Sequence, residues 1–227
     1  MRKILLLLIF FAFSFVSAHG QNAAIAEILK RMDQHRLAMK SLRANVTITK
    51  FSLQFGGAYT KEGVVKFLPG KNDYSLRIDS TKPAAEFFLI VNGQYVLYQP
   101  NLNEIYLPGP KSAFTGKLTA SQKNTLMIFS ILSKGIVKAD YAKISYIGEE
   151  KVNATPAWHL EFTPKAASGY KTLEIWVDAN GMPIQSKIIE NESEATSVFL
   201  GNLQKNVKMK ITDFKANLPK GTNIIKN

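Results

Sequence analysis

The segment WVDANGMPIQS, Trp176 to Ser186, brings an Asp, an Asn and a Gly close together. An EF-hand calcium loop needs oxygen ligands at alternating positions, a Gly at the sixth position and a Glu at the twelfth. Counted from Asp178, the sixth position is Pro183 and the twelfth is Ile189, so the pattern fails at both. The segment is therefore predicted to be a turn rather than a calcium site.

Both flanks of this turn alternate between apolar and polar residues, as half-buried β-strands do. The apolar members of the two flanks are Leu173, Ile175 and Val177 before the turn, and Ile184 and Ile188 after it. Two such runs joined by Asp-Ala-Asn-Gly predict a β-hairpin. Gly181 is expected to supply a positive φ angle, and Asn180 is a further candidate for one.

The N-terminal residues have the composition of a secretory signal peptide. The basic start MRK precedes an apolar run, Ile4 to Val16, that is too short for an ordinary membrane span. Small residues suited to signal peptidase end at Ala18, and Gly20 ends a second candidate site. We therefore expect residues 1–20 to be a cleaved signal, with an uncleaved anchor as the alternative, and residues 21–227 to form a single soluble domain.

The chain contains no Cys and has a formal net charge of +12. Without a Cys, the attachment of an N-terminal lipid anchor is not expected. Removal of Arg2 and Lys3 with the signal leaves a surplus of +10, which favours acidic partners such as anionic lipid headgroups. Nucleic acid is not an expected partner outside the cytoplasm. Scattered, solvated lysines are the alternative interpretation, because the positive residues form no block.

Two helices and a series of strands are predicted beyond residue 20. Apolar residues at helical spacing predict a first helix, and they are Ile25, Ile28, Leu29, Met32, Met39 and Leu42. From Asn45 onwards, short β-rich runs separated by turn residues predict about eleven strands, the last being VKMKITDF (residues 207–214). A capping box at Thr119–Gln122 precedes the second helix, which is apolar on most of its circumference and ends at Gly135.

Residue patterns for catalysis are weak. The sequence has three His and contains no HExxH, GxSxG, P-loop or GxGxxG motif. His159 is predicted to point outward from its strand, away from its neighbours and without a partner. Glu149 and Glu150 follow Gly148 and are expected to form a solvated turn rather than a working carboxylate pair. We therefore expect a protein that is not an enzyme and has no cofactor or metal site.

Apolar and aromatic side chains on strand faces are the most distinctive feature. Trp158, Leu160 and Phe162 line one side of a strand, and the segment from Phe87 to Val91 is apolar on both sides. An ordinary sandwich core is the alternative interpretation. A single sheet covered by only two helical segments, however, leaves much of its concave face without a second layer, and a ligand cavity arises in this way.

Five segments, taken in order, form a further pattern: KSLRANVTI (40–48), GVVKFLPGKNDYSLRI (63–78), VNGQYVLYQPNLNEI (91–105), FTPKAASGYKTLEIWVDANGMP (162–183) and DFKANLPKGTNII (213–225). Together they resemble the outer-membrane lipoprotein carrier (LolA-like) family. The resemblance covers nearly all of the chain beyond residue 20. Two positions depart from the family. Its Lys-Arg-Pro strand end, whose Arg tethers the lid helices, reads Lys66-Phe67-Leu68-Pro69, and its Phe-Thr-Gln reads Val46-Thr47-Ile48.

The resemblance implies a mainly β fold, an unclosed antiparallel β-barrel covered by a helical lid, in the bacterial periplasm. It implies a monomeric chaperone-like carrier that binds lipoprotein acyl chains. The carrier would receive them from an ATP-driven inner-membrane releasing complex and deliver them to an outer-membrane acceptor or membrane surface. The alternative is a periplasmic lipid- or glycolipid-binding sensory module of the same superfamily.

Candidate site residues follow from the strand phases and the apolar helices. The expected acyl-chain cavity residues are Phe67, Tyr74, Leu76, Phe88, Trp158, Leu160 and Phe162. The expected lid residues are Met32, Leu126, Met127, Phe129 and Leu132. A helix this apolar is expected to cover the sheet because it cannot face water.

Overall fold

The computed structural model describes residues 21–52, 56–70, 73–99, 112–165, 168–190 and 194–226. The predicted signal peptide, residues 1–20, lies outside these ranges. Among the described residues, no helix combines the length and the apolar character that crossing a membrane requires.

The described strands form one twelve-stranded sheet that does not close into a barrel. They are β1 (Leu42–Ser52), β2 (Gly57–Pro69), β3 (Tyr74–Lys82), β4 (Glu86–Val91), β5 (Gln94–Gln99), β6 (Ser112–Gly116), β7 (Tyr141–Val152), β8 (Thr155–Pro164), β9 (Thr172–Asp178), β10 (Pro183–Ile189), β11 (Glu194–Lys205) and β12 (Asn223–Lys226). Their order across the sheet is β12-β6-β5-β4-β3-β2-β1-β11-β10-β9-β8-β7. Neighbouring strands are antiparallel, except that β12 runs parallel to β6. The prediction of an unclosed, mainly β fold with helices is confirmed.

Three helices accompany the sheet: α1 (residues 21–38), α2 (Ala120–Thr125) and α3 (Met127–Lys134). The Thr119 side chain accepts from the Gln122 N–H and the Gln122 side chain caps Thr119 in return, so the predicted capping box is confirmed. Gly135, at φ 78°, ends α3 as predicted. The predicted second helix is nevertheless broken at Leu126, after the poor helix formers Asn124 and Thr125.

The first helix is shorter than its apolar spacing predicts. Met39 lies beyond the end of α1, and Leu42 already begins β1. Both side chains are buried all the same. Burial alone therefore explains why these two residues are apolar. The helical spacing of the apolar residues predicted too long a helix.

The segment from Trp176 to Ser186 forms the turn of the hairpin between β9 and β10, as predicted. The Asp178 carboxylate accepts from the N–H of Asn180 at 2.8 Å and from that of Met182 at 2.9 Å, which fixes the turn. Gly181 has φ 82°, as predicted, whereas Asn180 does not adopt a positive φ. A Cβ at Gly181 would lie 2.3 Å from the carbonyl oxygen of Arg31 in α1. The backbone of α1 therefore comes into close contact with this turn.

All three helices lie on one face of the sheet, which we call the inner face. The opposite face is the outer face. Under α1, the packed side chains include Ile25, Ile28, Leu29 and Met32 of the helix with Leu160, Phe162, Ile175 and Val177 of β8 and β9. Under α2 and α3, Leu126, Ile128, Phe129 and Leu132 pack with side chains of β1, β2, β3 and β4, among them Val46, Phe67, Leu76 and Ile90.

The C-terminal segment covers part of the outer face. Phe214 is buried in a small cluster with Phe87 and Leu89 of β4, and the Arg77 guanidinium donates to the Lys215 carbonyl at 2.7 Å. The predicted strand at residues 207–214 is therefore wrong: this segment packs through its side chains and contains only a short 3₁₀ turn. Two strands that were not predicted, β6 and the edge strand β12, lie at one end of the sheet and pair with each other.

Candidate functional site

A narrow opening lies between α2 and the inner face of β1 to β5, and we call it the slot. Its volume is about 220 Å³. Its lining residues are Ile48, Lys50, Lys61, Ile78, Ser80, Glu86, Phe88, Leu97, Gln122, Thr125 and Leu126. Apolar side chains beneath α2 reach solvent there.

The slot changes from apolar to polar along its strands. Residues two apart on a strand share a face, so the inner face can be followed in steps of two. Such steps lead from Ile48 to Lys50, from Ile78 to Ser80, from Phe88 to Glu86 and from Leu97 to Gln99. The slot therefore has an apolar interior and a polar mouth, and four strands contribute to the change.

Three charged groups stand at the mouth. Lys61 forms an ion pair with Glu86, whose side chain is only 12% exposed. The Gln99 amide donates to the other oxygen of Glu86 at 3.1 Å. Lys50 is exposed and makes no ion pair within the described part of the chain. The mouth consequently carries one compensated lysine and one uncompensated lysine.

Aromatic rings form the floor next to the slot. The Phe67 ring lies 5.8 Å from the ring of Phe129 in α3 and 5.5 Å from the ring of Tyr74. Burial, with a smaller contribution from Asp73, raises the pKa of Tyr74 to about 12, so this phenol stays neutral. Phe67 belongs to the strand end where the family has its tethering Arg. An aromatic contact between β2 and α3 is found at this strand end.

The predicted cavity residues all lie on the inner face, but in two separate places. Phe88 lines the slot, and Tyr74, Phe67 and Leu76 lie nearby beneath α3. Trp158, Leu160 and Phe162 lie under α1 instead, and Leu160 and Phe162 are fully buried there. The sequence fixes the phase of each strand but not which helix covers it.

The predicted lid residues divide in the same way. Leu126 lines the slot, and Phe129 and Leu132 are buried against the first group of strands. Met32 belongs to α1 and is buried against β8 and β9, and the half-buried Met127 packs against the same group of side chains. The sequence reasoning missed Ile48, Ile78 and Leu97 as slot residues, although their two-residue spacing from Val46, Leu76 and Tyr95 could have identified them.

The two helical regions are in contact, because Ile131 of α3 is buried in the same cluster as the apolar side chains of α1, and a hydrogen bond also joins them. The Arg36 guanidinium of α1 donates to the Ser133 carbonyl near the end of α3 at 3.3 Å, and it also pairs with Asp33. Gly135 packs beside the same guanidinium. The C-terminal end of α3 is thus tied to α1 by a hydrogen bond.

A polar cluster on the outer face was only partly predicted. His159 does point outward, but it has partners: Nδ1 lies 2.8 Å from Glu150 and Nε2 lies 3.1 Å from Glu174. Its ring stacks on Trp176 at 4.2 Å. The predicted turn at Glu149 and Glu150 is wrong, because both residues belong to β7. The cluster joins three neighbouring strands through groups that the sequence separates.

Hydrogen bonds between His159 and the two carboxylates, Glu150 and Glu174, favour the charged form of all three groups. Burial alone would lower the pKa of His159, but hydrogen bonds to Glu174 and Glu150 outweigh it and raise this pKa. The hydrogen bond from His159 lowers the pKa of Glu174, and those from Trp176 and His159 lower the pKa of Glu150. Both ring nitrogens are engaged, so the cluster acts as a clamp across the strands. Within the described ranges, no group of three or more His, Cys, Asp or Glu could hold a metal ion.

A scan against models of protein families gives no match, and neither does a comparison with curated proteins. Solved structures do share the fold. MucB has a TM-score of 0.50 at 14% identity, over 86% of this chain and 63% of MucB. A LolA superfamily protein from Nitrosomonas europaea has a TM-score of 0.43 at 14% identity, over 85% of this chain and 97% of that one. The lipoprotein LppX from Mycobacterium tuberculosis has 0.46 at 8% identity, over 83% and 98%.

Because none of the three identities exceeds 14%, these similarities show a shared fold and nothing more. The family resemblance read from the sequence is thereby confirmed at the level of the fold. This chain spans less than two thirds of the length of MucB.

Proposed function

We propose that the protein binds acyl chains between the inner face of the sheet and helices α2 and α3, and that it carries lipid-modified cargo through the periplasm. The observation that supports this most is the slot, where an apolar surface reaches solvent beside a broken helix. Burying an acyl chain is worth about 0.8 kcal/mol per CH₂ group, so a protein that moves such chains through water needs a surface of this kind.

Room for a whole chain comes from movement of α2 and α3. The slot, at about 220 Å³, is smaller than the roughly 300–1,000 Å³ of ordinary ligand pockets. The two helices have six and eight residues, lengths that are unstable in isolation and depend on packing. An entering acyl chain replaces the apolar contacts of Leu126, Phe129 and Leu132 with similar ones. The exchange therefore costs little.

The finer role that we propose is lipoprotein transport from an ATP-driven inner-membrane complex to an outer-membrane acceptor. The LolA-like fold and the family resemblance support it. The second candidate is a lipid- or glycolipid-binding sensory module, which the fold shared with MucB supports as well. We propose that neither role involves covalent chemistry, because the ring of His159 is held by two carboxylates on the outer face, away from the slot.

Probe binding tests acyl-chain binding directly. An apolar fluorescent probe should bind the delipidated protein and be displaced by an acylated peptide, but not by the same peptide without its acyl group. Leu126→Glu should abolish binding, because it places a charge in the apolar interior. Lys123→Glu is the matched control, since Lys123 is exposed on α2, three residues before Leu126. A folded Leu126→Glu variant that binds the probe as the wild type does would exclude the slot.

A transfer assay separates the two candidate roles. Inner-membrane vesicles that hold lipoproteins are incubated with the protein and then with acceptor vesicles. Movement of lipoprotein into the acceptor supports the carrier. Stable binding of lipid without any delivery would overturn the carrier and leave the sensory module.

A further inference from the structure

We propose that the slot selects anionic amphiphiles, with one acyl chain in its apolar interior and a carboxylate or phosphate head beside Lys50 and Lys61. This inference rests on the proposed acyl-chain binding and adds the chemistry of the head group. An uncharged head group would gain nothing from the charges at the mouth. The slot should therefore distinguish an anionic amphiphile from a neutral one with the same acyl chain, which an apolar surface alone could not do.

The geometry places a head group within reach of these lysines. Residues two apart on a strand are about 7 Å from each other, so the polar mouth begins one such step beyond the last apolar residues. Lys50 follows Ile48 on β1, and Lys61 is the register partner of Ile48 on β2. A chain that ends at the level of Ile48 therefore presents its head to both ammonium groups.

The charge at the mouth favours an anion. Glu86 is the acidic residue of the slot lining, and Lys61 and Gln99 already hold it. Lys50 adds a second positive charge, which leaves a surplus of one. Carboxylate and phosphate oxygens both accept hydrogen bonds from a lysine ammonium, so the shared chemistry is an oxyanion on an acyl chain.

Acidic residues on the far side of Lys50 belong to a different hollow. Glu190 and Glu194 line that hollow together with Lys50 and Tyr59. Glu190 accepts a hydrogen bond from the Thr196 hydroxyl at 3.2 Å. That hollow also contains apolar residues such as Phe51, but its two carboxylates repel an anion. On the slot side, Ile48 and Leu126 provide apolar surface. The only carboxylate among the described residues of the slot lining, Glu86, is paired with Lys61. An amphiphile is thus drawn to that side.

Calorimetry with matched ligands tests the proposal on the delipidated full chain. The probes are a long-chain carboxylate, the alcohol of the same chain length and the corresponding trimethylammonium salt. The carboxylate should bind about two- to fivefold more tightly than the alcohol, the range for a partly exposed ion pair, and the cation most weakly. Salt should reduce this preference, since the mouth is open to solvent. Inorganic phosphate should not displace the carboxylate, because it lacks the chain.

Two substitutions should change the preference in opposite directions. Lys50→Gln should abolish the advantage of the carboxylate, and Glu86→Gln should increase it about two- to fivefold by releasing Lys61. Lys82→Gln is the control, because Lys82 is exposed and pairs with Glu62 outside the slot. General damage to the fold cannot produce effects of opposite sign.

The outcomes separate this proposal from the proposed function. Equal binding of the carboxylate, the alcohol and the cation would overturn head-group selection and leave acyl-chain binding intact. A preference that survives Lys50→Gln would also overturn it. Displacement by inorganic phosphate would show a plain anion site and overturn the amphiphile. If none of the chains binds, acyl-chain binding itself fails and this proposal fails with it.

Discussion

Helix α1 and the pair α2 and α3 cover neighbouring parts of the same inner face, yet they are held differently. Helix α1 is continuous and docks on the β9–β10 turn, where Arg31 donates to the Ala179 carbonyl at 3.3 Å. Its C-terminal end is fixed by Asn206, whose side chain accepts from the Lys40 N–H at 2.7 Å. The pair α2 and α3 is broken at Leu126 and packs mainly through apolar side chains, with hydrogen bonds from Asn124 of α2 to the Gly169 carbonyl and from Arg36 to the Ser133 carbonyl of α3.

This difference shows which part of an apolar interface a ligand can replace. A hydrogen bond to a turn carbonyl needs a donor at a fixed place, and an acyl chain has none. Contact between a leucine and the sheet, in contrast, is non-directional, so an acyl chain can supply it equally well. We therefore expect α1 to be a permanent part of the fold and α2 with α3 to be the part that ligand displaces.

The largest effect should come from the contact between α1 and the hairpin turn. Gly181→Ala should lower the free energy of unfolding by about 2–4 kcal/mol, because Ala is strained at positive φ and its Cβ would meet the Arg31 carbonyl. Urea denaturation measures this. Gly57→Ala is the control and should change stability by less than about 0.5 kcal/mol, since open space surrounds Gly57. Equal stability of the two variants would mean that α1 is not fixed at the turn.

Native-state hydrogen exchange should show the second largest effect. The backbone amide of Leu132 in α3 should exchange through a local opening that costs about 2 kcal/mol less than global unfolding. The amide of Leu29 in α1 should exchange only with global unfolding. Both side chains are buried, so solvent exposure does not explain the difference. Identical opening free energies and identical denaturant dependence for the two amides would contradict the division of the inner face.

A smaller, pH-dependent effect is expected from the His159 clamp behind the region of α1. The pKa of His159 is raised above 6.5, so its stabilisation is complete below that pH and is lost as the pH rises through the raised value. The pKa values of Glu150 and Glu174 are lowered below 4.5. The stabilisation that these two carboxylates contribute is therefore present above that pH and is lost on acidification. The stability difference between wild type and His159→Gln should therefore be largest between these limits, at about 1 kcal/mol.

Thermal unfolding from acidic to alkaline pH measures this difference. A constant difference at all pH values would show that the ring contributes by packing on Trp176 rather than by charge. Hydrogen exchange of the α3 amides should remain unchanged in His159→Gln, because the clamp lies on the outer face opposite α1 rather than opposite α3.

The smallest effect should be the change in apolar probe affinity when salt is added. The affinity of an uncharged apolar probe should stay nearly constant as salt rises, while the rate of cargo pick-up from anionic membranes should fall. The reason is that the positive surplus acts over about 8 Å at physiological ionic strength. Stopped-flow fluorescence with vesicles provides the rate. A flat pick-up rate would support the interpretation of scattered, solvated lysines.

Local signals in the sequence were reliable wherever neighbouring residues decide the structure. The turn at Gly181, the capping box at Thr119 and the end of α3 at Gly135 depend on groups a few residues apart, and all three were predicted. The outward direction of His159 follows from simple alternation, and it was predicted as well. Such features need no knowledge of the rest of the chain.

Features that depend on distant residues could not be predicted in this way. The partners of His159 come from two other strands, and the polar mouth of the slot joins four strands. Residues 207–214 alternate as a strand does, yet burial of Phe214 on the outer face determines their conformation. Which of the predicted cavity residues lie under α1 and which near the slot depends on the order of strands across the sheet, which no short pattern contains.

The hydrogen bond from Arg36 to the Ser133 carbonyl has a mechanical consequence. It tethers the C-terminal end of α3. In α2 the Asn124 side chain donates to the Gly169 carbonyl at 3.2 Å, so α2 can swing away from the sheet about a hinge at Ser133 once that second hydrogen bond opens. The pair is about 20 Å long, and a rotation of about 10° moves its far end by about 3–4 Å. That distance matches the contact spacing of one carbon chain. A small angular movement at the hinge is thus enough to admit an acyl chain beside α2, while the hinge and α1 stay in place.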